Sequence, residues 1–491
     1  MGRIGTIWHY TTHPYQLRAM LHWKHLRDPL HFRNEAKESA ELKKCYEFLE
    51  LTSRSFSAVI LELQPEMRVP VALFYLVLRG LDTIEDDMTI PNDVKIPILQ
   101  KFYQFLETPG WTFDGNSPTE KDRQLLVEFH FVVTEFAKLK DVYKDVIRDI
   151  AKQMGEGMAE TCRKPAENLD GLPTIADYDR YCFYVAGLVG EGLTRLFVPA
   201  GVANPGLLTR PHLYISMGLF LQKVNIIRDF REDLVDKRSF YPKEIWGLYV
   251  DKYTDLGLPE NEEKALACLS HLVLNALDHA DDCLYYLAGL RDQSVYNFCA
   301  IPQVMAIATL ALVFRNPEMF KRNVKIPKGE ACELMMEVGN LRTTCDIFKK
   351  YIAIIRKKNT PKDPNFLEVA VKCAKIEQFI EGIYPTISKK QKEEKRDMEL
   401  KTGKTVYIEE GFMPKGFGTI LLILPLILFV FANMVFLTAF VIGAKLDFST
   451  EAFNTLTFFK FDNESMAFDI FGDTTERVVE AVTKTLTHEE L

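Results

Sequence analysis

The sequence predicts an all-α protein with one transmembrane helix near its C-terminal end. Residues 1–385 repeat the apolar spacing of amphipathic helices, for example in ESAELKKCYEFLELTSRSFSAVI and VALFYLVLRGLDTIEDDM. The same residues contain no alternating strand pattern of useful length and no Gly/Ser-rich linker. A separate segment, 416–444, is apolar nearly throughout. Together these observations favour one large helical domain followed by a membrane anchor.

The composition excludes several classes of protein. The net charge is -8 over 491 residues, so no extended basic face is available and we expect no nucleic-acid partner. Nine cysteines are scattered along the chain without a CxxC pair. This odd number in this arrangement is typical of a reducing compartment rather than of a disulfide framework or a zinc site. We expect a monomer.

The apolar segment predicts a single membrane span. No charged residue lies between Lys415 and Lys445, a length that exceeds the roughly 20 residues needed to cross a bilayer. A buried core helix is the alternative, but core helices rarely run so long without a polar face. The predicted organisation is therefore a helical domain, a charged linker, the span and a polar tail, at residues 1–385, 386–415, 416–444 and 445–491.

The flanking charges predict the orientation of this span. Seven Lys or Arg residues lie between Ser388 and Lys404, whereas only three follow residue 445. By the positive-inside rule the large N-terminal part faces the cytosol and the tail is lumenal. Asn463 begins the sequon Asn-Glu-Ser in this tail, a weak additional indication.

A first acidic motif lies in the apolar segment Tyr75–Asp87. At 3.6 residues per turn, Asp82, Glu85 and Asp86 share one face of a helix, and Asp87 falls off it. A cluster of partly buried carboxylates is unfavourable unless a cation compensates its charge. The pattern therefore indicates a site for a hard divalent ion, although a solvated helix face with local ion pairs remains open.

A second acidic motif, Gln222–Asp233, repeats the pattern. Asp229 and Asp233 are one helical turn apart in another apolar setting. Mg²⁺ commonly takes one or two carboxylates together with substrate phosphates. Arg79 and Arg228 each lie just upstream of a motif and are suited to pair with carboxylates or to grip a phosphate. The duplication favours binding of metal and diphosphate over a solvated surface.

Five segments together resemble the squalene synthases of the squalene/phytoene synthase family: Ser53–Phe56, the Asp82 motif, Tyr181–Gly190, Asn225–Asp233 and Tyr296–Gln303. The resemblance spans roughly residues 40–350 in order. It implies an isoprenoid-synthase helical bundle around a central cavity. It also implies that two farnesyl diphosphates condense head to head to presqualene diphosphate, which is rearranged and reduced by NADPH to squalene. The implied setting is sterol biosynthesis at the endoplasmic reticulum membrane.

The resemblance also assigns roles to individual residues. It implies that Mg²⁺, or Mn²⁺, is held by Asp82, Glu85, Asp86, Asp229 and Asp233. Tyr181 and Phe298 match residues that act in catalysis together with four of these carboxylates, Asp82, Asp86, Asp229 and Asp233. Tyr181 would remove a proton or stabilise a cation in the first half-reaction, and Phe298 would turn its π-face to the later cation. Substrate-binding positions are Ser53, Arg54, Ser55, Phe56, Tyr75, Arg79, Lys121, Val185, Gly190, Gln222, Asn225, Arg228, Pro302 and Gln303.

The reductant has no sequence motif of its own. No GxGxxG follows a strand, so no Rossmann site is expected. The basic stretch around Lys325 and Lys328 is a candidate for the 2′-phosphate of NADPH. Lys325 matches a basic position of the family, whereas Pro327 stands where some members carry Arg. A solvated basic loop is the alternative.

Two other functions compete with this one. A phytoene or dehydrosqualene synthase shares both acidic motifs but performs no reduction. A non-catalytic, membrane-tethered helical scaffold would use the carboxylates only as surface charge. The segment from Phe298 to Gln303 and the C-terminal anchor favour squalene synthase over the phytoene or dehydrosqualene synthase, and alanine substitution of Asp82 and Asp229 would separate an enzyme from a scaffold.

Overall fold

The computed structural model describes residues 13–163 and 170–385. Within them the regular structure is helical, and extended residues pair only in two isolated bridges, Leu172 with Pro242 and Ala203 with Leu290. The prediction of an all-α protein is confirmed for these residues. The predicted linker, membrane span and tail, at residues 386–491, lie outside the described residues and stay predictions.

The helices follow one another with short connections. In chain order the α-helices of the described residues are α1 (Pro14–Leu21), α2 (Ala40–Thr52), α3 (Arg54–Ile60), α4 (Pro65–Asp86), α5 (Asn92–Phe105), α6 (Arg123–Val127), α7 (His130–Ala137), α8 (Asp141–Cys162), α9 (Ile175–Cys182), α10 (Leu188–Phe197), α11 (Pro211–Arg228), α12 (Phe230–Val235), α13 (Lys243–Trp246), α14 (Glu262–Leu277), α15 (Ala280–Leu287), α16 (Gln293–Val313), α17 (Lys328–Glu337), α18 (Leu341–Lys358) and α19 (Phe366–Ile383). Two π-helical turns occur at His22–Leu26 and Phe183–Gly187, and 3₁₀ turns at Glu35–Lys37, Pro205–Leu207, Tyr253–Gly257, Pro259–Asn261 and Pro317–Phe320.

The chain divides into two compact units. The larger unit contains the described residues of 27–327 and 334–385, and it holds every residue of the cavity discussed below. The smaller unit contains residues 13–26 and Lys328–Glu333 among those described.

Helix α16 is the core of the larger unit. Its residues are buried on all sides, which matches an apolar sequence without a polar face. It is also the one helix among the described residues that is long and apolar enough to cross a membrane, with a mean hydropathy of 1.6. Because 89% of that apolar window is buried inside the protein, α16 serves as a core helix. It packs against α11, which in turn contacts α10, α14 and α15.

Helix α4 places the first acidic motif. It begins with Pro65 in the first turn, where a missing N–H is tolerated, and runs 22 residues to Asp86. Its face from Met67 to Ile84 is buried against α2, α5, α7, α8 and α10. The cluster of carboxylates therefore lies in the last turn, where the negative end of the helix dipole adds to their repulsion.

Helices α9 and α10 form one rod interrupted by the π-helical turn Phe183–Gly187. Such turns insert an extra residue into a helix and are frequent at functional sites. Beyond it, α10 and the π-helical turn approach α11 so closely that a Cβ at Gly190 would meet the carbonyl oxygen of Tyr214. A Cβ at Gly218 would likewise meet that of Ala186. Glycine at these two positions brings the walls of the cavity together.

Candidate active site

An apolar cavity lies between helices α3, α4, α10, α11 and α16. It holds about 800 Å³ of space, counting its opening to solvent. Aliphatic and aromatic side chains form most of the wall, and polar side chains enter it at Arg79, Asp82 and Gln303. The lining residues are Phe56, Ile60, Val71, Phe74, Tyr75, Leu78, Arg79, Asp82, Ala186, Val189, Gly190, Leu193, Met217, Gly218, Leu221, Phe298, Cys299, Pro302 and Gln303. Eight of them were predicted from sequence as site residues.

Aromatic rings line one region of this cavity. Phe298 lies 6.4 Å from Phe56 and 6.3 Å from Phe197, in edge-to-face arrangements. Phe56 in turn lies 6.1 Å from Tyr75. Rings without nucleophilic atoms can face a carbocation without reacting with it, and their π-faces stabilise positive charge.

The first acidic motif borders the cavity through Asp82. Asp82 is 5% exposed, and burial together with the nearby Asp86 and Glu85 raises its pKa well above the usual range despite the proximity of Arg79. The pKa of Glu85 is raised as well, to about 8, by burial and by the negative charge of Asp86. The motif therefore holds more negative charge than its protein surroundings neutralise.

Arg79 is buried one turn before Asp82. Its Nη2 donates to the hydroxyl of Tyr75 at 3.0 Å, and its Nε lies 4.0 Å from Oδ2 of Asp122. Asp122 comes from the loop before α6. Both Tyr75 and Arg79 line the cavity, so the predicted pair of substrate-binding residues is brought together at its polar end.

Asp87 has a different role from its neighbours, as its position off the shared face predicts. Its carboxylate accepts hydrogen bonds from Thr89, from Asn116 Nδ2 at 3.1 Å and from Ser117 N–H at 2.8 Å. Burial alone would raise the pKa of Asp87, but these hydrogen bonds lower it. Asp87 fixes the loop after α4.

The second acidic motif crosses a break between two helices. Helix α11 ends at Arg228, and Asp229 has φ -91° and ψ 10° before α12 begins. The Asp233 N–H still donates to the Asp229 carbonyl at 2.9 Å, so the two carboxylates keep the predicted spacing of one turn. Arg228 grips Asp229 with two hydrogen bonds of 2.7 and 2.6 Å. Asp233 has only a longer ion pair, 3.6 Å, with Arg238, and burial raises its pKa to about 8.

Arg238 joins the two motifs, and sequence reasoning missed it. Its Nη1 donates to Asp86 Oδ1 at 2.9 Å, and its Nη2 lies 3.6 Å from Asp233 Oδ1 and 3.5 Å from Asp236. Its backbone N–H donates to the Asp233 carbonyl at 2.7 Å. The two acidic motifs therefore face one another across a single guanidinium group.

Tyr181 lies beside this arrangement, one residue before the end of α9. Its ring stacks on Phe240 at 5.0 Å with an angle of 18° between the planes. Burial raises its pKa well above the ordinary value, and the negative charges of Glu85 and Asp86 raise it further. The phenol is thus neutral and close to the first motif. Phe240, like Arg238, carried no motif that sequence reasoning recognised.

The remaining predicted residues of α11 carry unsatisfied polar atoms. Asn225 Nδ2 and Gln222 Oε1 are buried and make no hydrogen bond, one and two turns before Asp229. In the cavity, Gln303 Nε2 donates to the Met217 carbonyl at 3.1 Å, which leaves its buried Oε1 without a partner. Buried polar atoms without partners are rare in folded proteins and indicate a ligand.

Ser53, Lys121 and Val185 are predicted site residues that do not line the cavity. The Ser53 hydroxyl accepts from the Phe56 N–H at 3.1 Å and caps α3. Lys121 is exposed in the loop before Asp122, and Val185 is buried in the π-helical turn. Pro302 does line the cavity, inside α16. The structure describes the backbone but not the side chains of Arg54 and Ser55.

The basic stretch proposed for NADPH is partly occupied by local ion pairs. Lys321 lies 3.4 Å from Glu262, and Arg322 lies 3.0 Å from Glu318. Lys325 is half-buried in the larger unit, and Lys328 begins α17 in the smaller unit. The role of Lys325 and Lys328 stays a prediction.

The donor atoms present suit a divalent metal that a phosphate helps to hold. No three His, Cys, Asp or Glu side chains of residues 13–163 and 170–385 converge closely enough to hold a metal ion unaided. Mg²⁺ needs only one or two carboxylates when phosphate oxygens and water complete its shell. Glu85 and Asp233, with their raised pKa values, and the shared cation Arg238 show that these carboxylates compete for positive charge. All nine cysteines are free thiols, at residues that the structure describes.

Comparison with known proteins identifies this arrangement. The family model described as "Squalene/phytoene synthase" matches residues 49–330, more than half of the chain. The chain belongs to the squalene/phytoene synthase family. Among members of this family, the probable squalene synthase of Neurospora crassa is 52% identical over 454 residues, which cover 92% of this chain and 93% of that protein. The squalene synthase ERG9 of Saccharomyces cerevisiae is 52% identical over 78% of this chain and 86% of its own.

A solved structure of the family supports the same assignment. The complex of TcSQS with the ligand E5700 is 40% identical, covers 70% of this chain and 99% of its own, and has a TM-score of 0.67. The similar curated proteins are squalene synthases, so the chain falls with the squalene synthases of the family rather than with the phytoene synthases. The scaffold is not supported either, because these relatives are named squalene synthases, which are farnesyltransferase enzymes.

Proposed function

We propose that the chain condenses two molecules of farnesyl diphosphate to presqualene diphosphate and converts this intermediate, with NADPH, to squalene for sterol synthesis. The observation that carries the proposal is the junction of an apolar cavity with two acidic motifs that face one another. A farnesyl chain needs an apolar cavity, and a diphosphate leaving group needs concentrated positive charge and hydrogen-bond donors.

The diphosphates would lie at the polar end of the cavity. Arg79 and Tyr75 present donors there, and the unpaired Nδ2 of Asn225 supplies another from the opposite motif. Arg228 is held in place by Asp229 and adds a second guanidinium group at the second motif. Ser53, Arg54, Ser55 and Lys121 belong to the same proposal by resemblance.

A divalent metal would be held by Asp82, Glu85, Asp86, Asp229 and Asp233. When bound, Mg²⁺ neutralises the departing diphosphate. Burial raises the pKa values of Asp82, Glu85 and Asp233, so the protein alone neutralises these three carboxylates poorly, which favours ion binding.

The apolar wall would protect the cations that form once a diphosphate leaves. Phe298 and Phe56 face the cavity with rings rather than nucleophiles, and the surrounding aliphatic side chains exclude water. Tyr181 would pass a proton toward the acidic motif in the first half-reaction, and its neutral phenol near Glu85 and Asp86 supports this role. The hydride would come from NADPH, for which Lys325 and Lys328 are the proposed phosphate contacts.

One incubation tests this function. The full-length protein is given farnesyl diphosphate and Mg²⁺, with and without NADPH, and hydrocarbons are analysed by mass spectrometry. We expect squalene only with NADPH and presqualene diphosphate without it. Product from geranylgeranyl diphosphate, or a product from farnesyl diphosphate that NADPH does not change, would support a synthase that performs no reduction.

We also propose that a monomeric catalytic domain, residues 1–385, is tethered through the linker 386–415 to a single span, 416–444, in the endoplasmic reticulum membrane. The similarity to the Neurospora crassa protein supports a role for this region, because its 454 aligned residues exceed the 385 that precede the linker. Deletion of 416–444 should release the protein from microsomes. Glycosylation at Asn463 would demonstrate a lumenal tail, and an unglycosylated protein whose tail is digested from the cytosolic side would refute the orientation.

A further inference from the structure

Arg238 is held by carboxylates that the proposed function assigns to metal. Its guanidinium contacts Asp86 of the first motif and Asp233 of the second, and its side chain is 22% exposed. Asp86 belongs to helix α4 and Asp233 to helix α12. About 150 residues of sequence separate the two helices. A single positive charge thus lies between two groups of like charge that would otherwise repel one another.

The guanidinium is anchored weakly in this position. Only the contact with Asp86, at 2.9 Å, has the length of a strong hydrogen bond, whereas the contacts with Asp233 and Asp236 are 3.6 and 3.5 Å. The Arg238 Nε is buried and donates no hydrogen bond. The backbone is fixed by the Asp233 carbonyl, while the charged end rests 5.9 Å from the Phe240 ring. A side chain with a fixed backbone and one strong contact at its charged end can turn away when a stronger cation arrives.

We propose that Arg238 is an exchangeable counter-cation: it holds the two acidic motifs together in the absence of metal and gives up Asp86 and Asp233 when a divalent ion binds with diphosphate. The inference rests on the proposed function, since it takes these carboxylates as metal ligands. Arg238 is accordingly a positioning residue that sets the affinity for metal and the stability of the site before substrate arrives.

Two properties follow from the exchange. Removal of Arg238 takes away a competing positive charge within a few ångströms of the metal position, so metal should bind more tightly. The same removal leaves the carboxylates uncompensated when no metal is present, so the protein should be less stable in EDTA. Bound metal should erase this loss of stability, because the metal then neutralises the same carboxylates.

The test uses the full-length variant Arg238→Gln and the matched control Arg231→Gln. Arg231 is an exposed residue of α12 without an ion pair to a described residue, and its substitution removes the same charge from the same helix. Free Mn²⁺ is measured by electron paramagnetic resonance at pH 8.5, with and without inorganic diphosphate, and thermal unfolding is followed in EDTA and in saturating Mn²⁺ with diphosphate.

We expect Arg238→Gln to bind Mn²⁺ about tenfold more tightly than the wild type. We also expect it to unfold several degrees lower in EDTA and to match the wild type in Mn²⁺ with diphosphate. Arg231→Gln should change the affinity less than about twofold, since exposed charges are screened. The variant Arg238→Lys keeps the positive charge but loses the forked guanidinium group. Its affinity for Mn²⁺ should lie between those of the wild type and Arg238→Gln.

Three results would overturn the inference: unchanged or weaker Mn²⁺ binding by Arg238→Gln, an equal loss of stability with and without metal, or no Mn²⁺ binding by either protein in the presence of diphosphate. The second result would identify Arg238 as merely structural. Failure of the proposed function is a separate outcome, seen as absence of squalene from farnesyl diphosphate, and it leaves the measured exchange between Arg238 and Mn²⁺ intact.

Discussion

The two acidic motifs share a spacing but differ in how the fold treats their charge. The first lies at the end of the unbroken helix α4, and its Asp82 and Glu85 have strongly raised pKa values because burial and neighbouring carboxylates act together. The second spans a helix break, where Asp229 is gripped on two atoms by the preceding Arg228. The first motif thus depends on a cation from elsewhere. In the second motif, Arg228 compensates the charge of one of the two carboxylates, Asp229.

Two motifs with the same spacing of carboxylates can therefore differ in how the protein compensates their charge. In the first motif, Arg79 is shared with Tyr75 and Asp122, so its charge is only partly available to Asp82. In the second motif, Asp233 is the carboxylate that Arg228 does not compensate, and its positive partner is Arg238. Substitutions should therefore affect the first motif most strongly through metal binding and the second through its ion pairs.

The largest effect is expected at Asp82. Asp82→Asn removes a carboxylate that borders the cavity, and squalene formation should fall by about 10³-fold or more. The thermal unfolding temperature should stay the same or rise, because a buried carboxylate with a raised pKa opposes folding.

Asp87→Asn is the matched control for this substitution. Asp87 holds the loop through Thr89, Asn116 and Ser117, so its loss should lower the unfolding temperature while turnover falls far less than in Asp82→Asn. Equal losses of turnover in the two variants would remove the distinction between a carboxylate of the site and one of the loop.

An intermediate effect is expected at Tyr181, whose pKa is raised by burial and by the carboxylates of the first motif. Tyr181→Phe keeps the stacking on Phe240 and deletes only the hydroxyl, so formation of presqualene diphosphate should fall by about 10²-fold with unchanged unfolding temperature. Tyr178→Phe makes the same chemical change one turn earlier on α9, at a fully buried residue outside the cavity wall. Tyr178→Phe should keep turnover within about twofold of the wild type. A loss as large as that of Tyr181→Phe would indicate that both substitutions act through packing.

The smallest effect is a dependence of stability on pH. Because the pKa values of Glu85 and Asp233 are raised to about 8 in the folded protein, the folded state binds protons that the unfolded state has lost between about pH 4.5 and 8. Stability in EDTA should therefore decline by a few degrees of unfolding temperature as the pH rises through this window. The double variant Glu85→Gln, Asp233→Asn should flatten the decline, and an identical slope in wild type and variant would contradict these assignments.

Much of the site could be predicted because helical spacing is local. The spacing of one turn between Asp82 and Asp86 and between Asp229 and Asp233, and the separate role of Asp87, follow from 3.6 residues per turn. The resemblance to the family added Phe56, Phe298 and Gln303, which meet in the cavity from two different helices, α3 and α16.

The rest depends on contacts between distant segments. Arg238 lies outside the second motif, and only the fold brings it to Asp86. The helix break at Asp229 and the π-helical turn after Tyr181 leave no pattern in apolar spacing, since both are set by packing against neighbouring helices. An arginine a few residues beyond an acidic motif is a signal that could have suggested a counter-cation.

The central claim is that the two motifs act as one site across a shared cation. A double-mutant cycle with Asp86→Asn and Asp233→Asn, measured by calorimetry of Mn²⁺ binding in the presence of inorganic diphosphate, tests it most directly. The account predicts that the two substitutions are coupled by about 1 kcal/mol or more, because both carboxylates serve the same bound charge. Strictly additive losses would show that the motifs bind independently and would contradict the account.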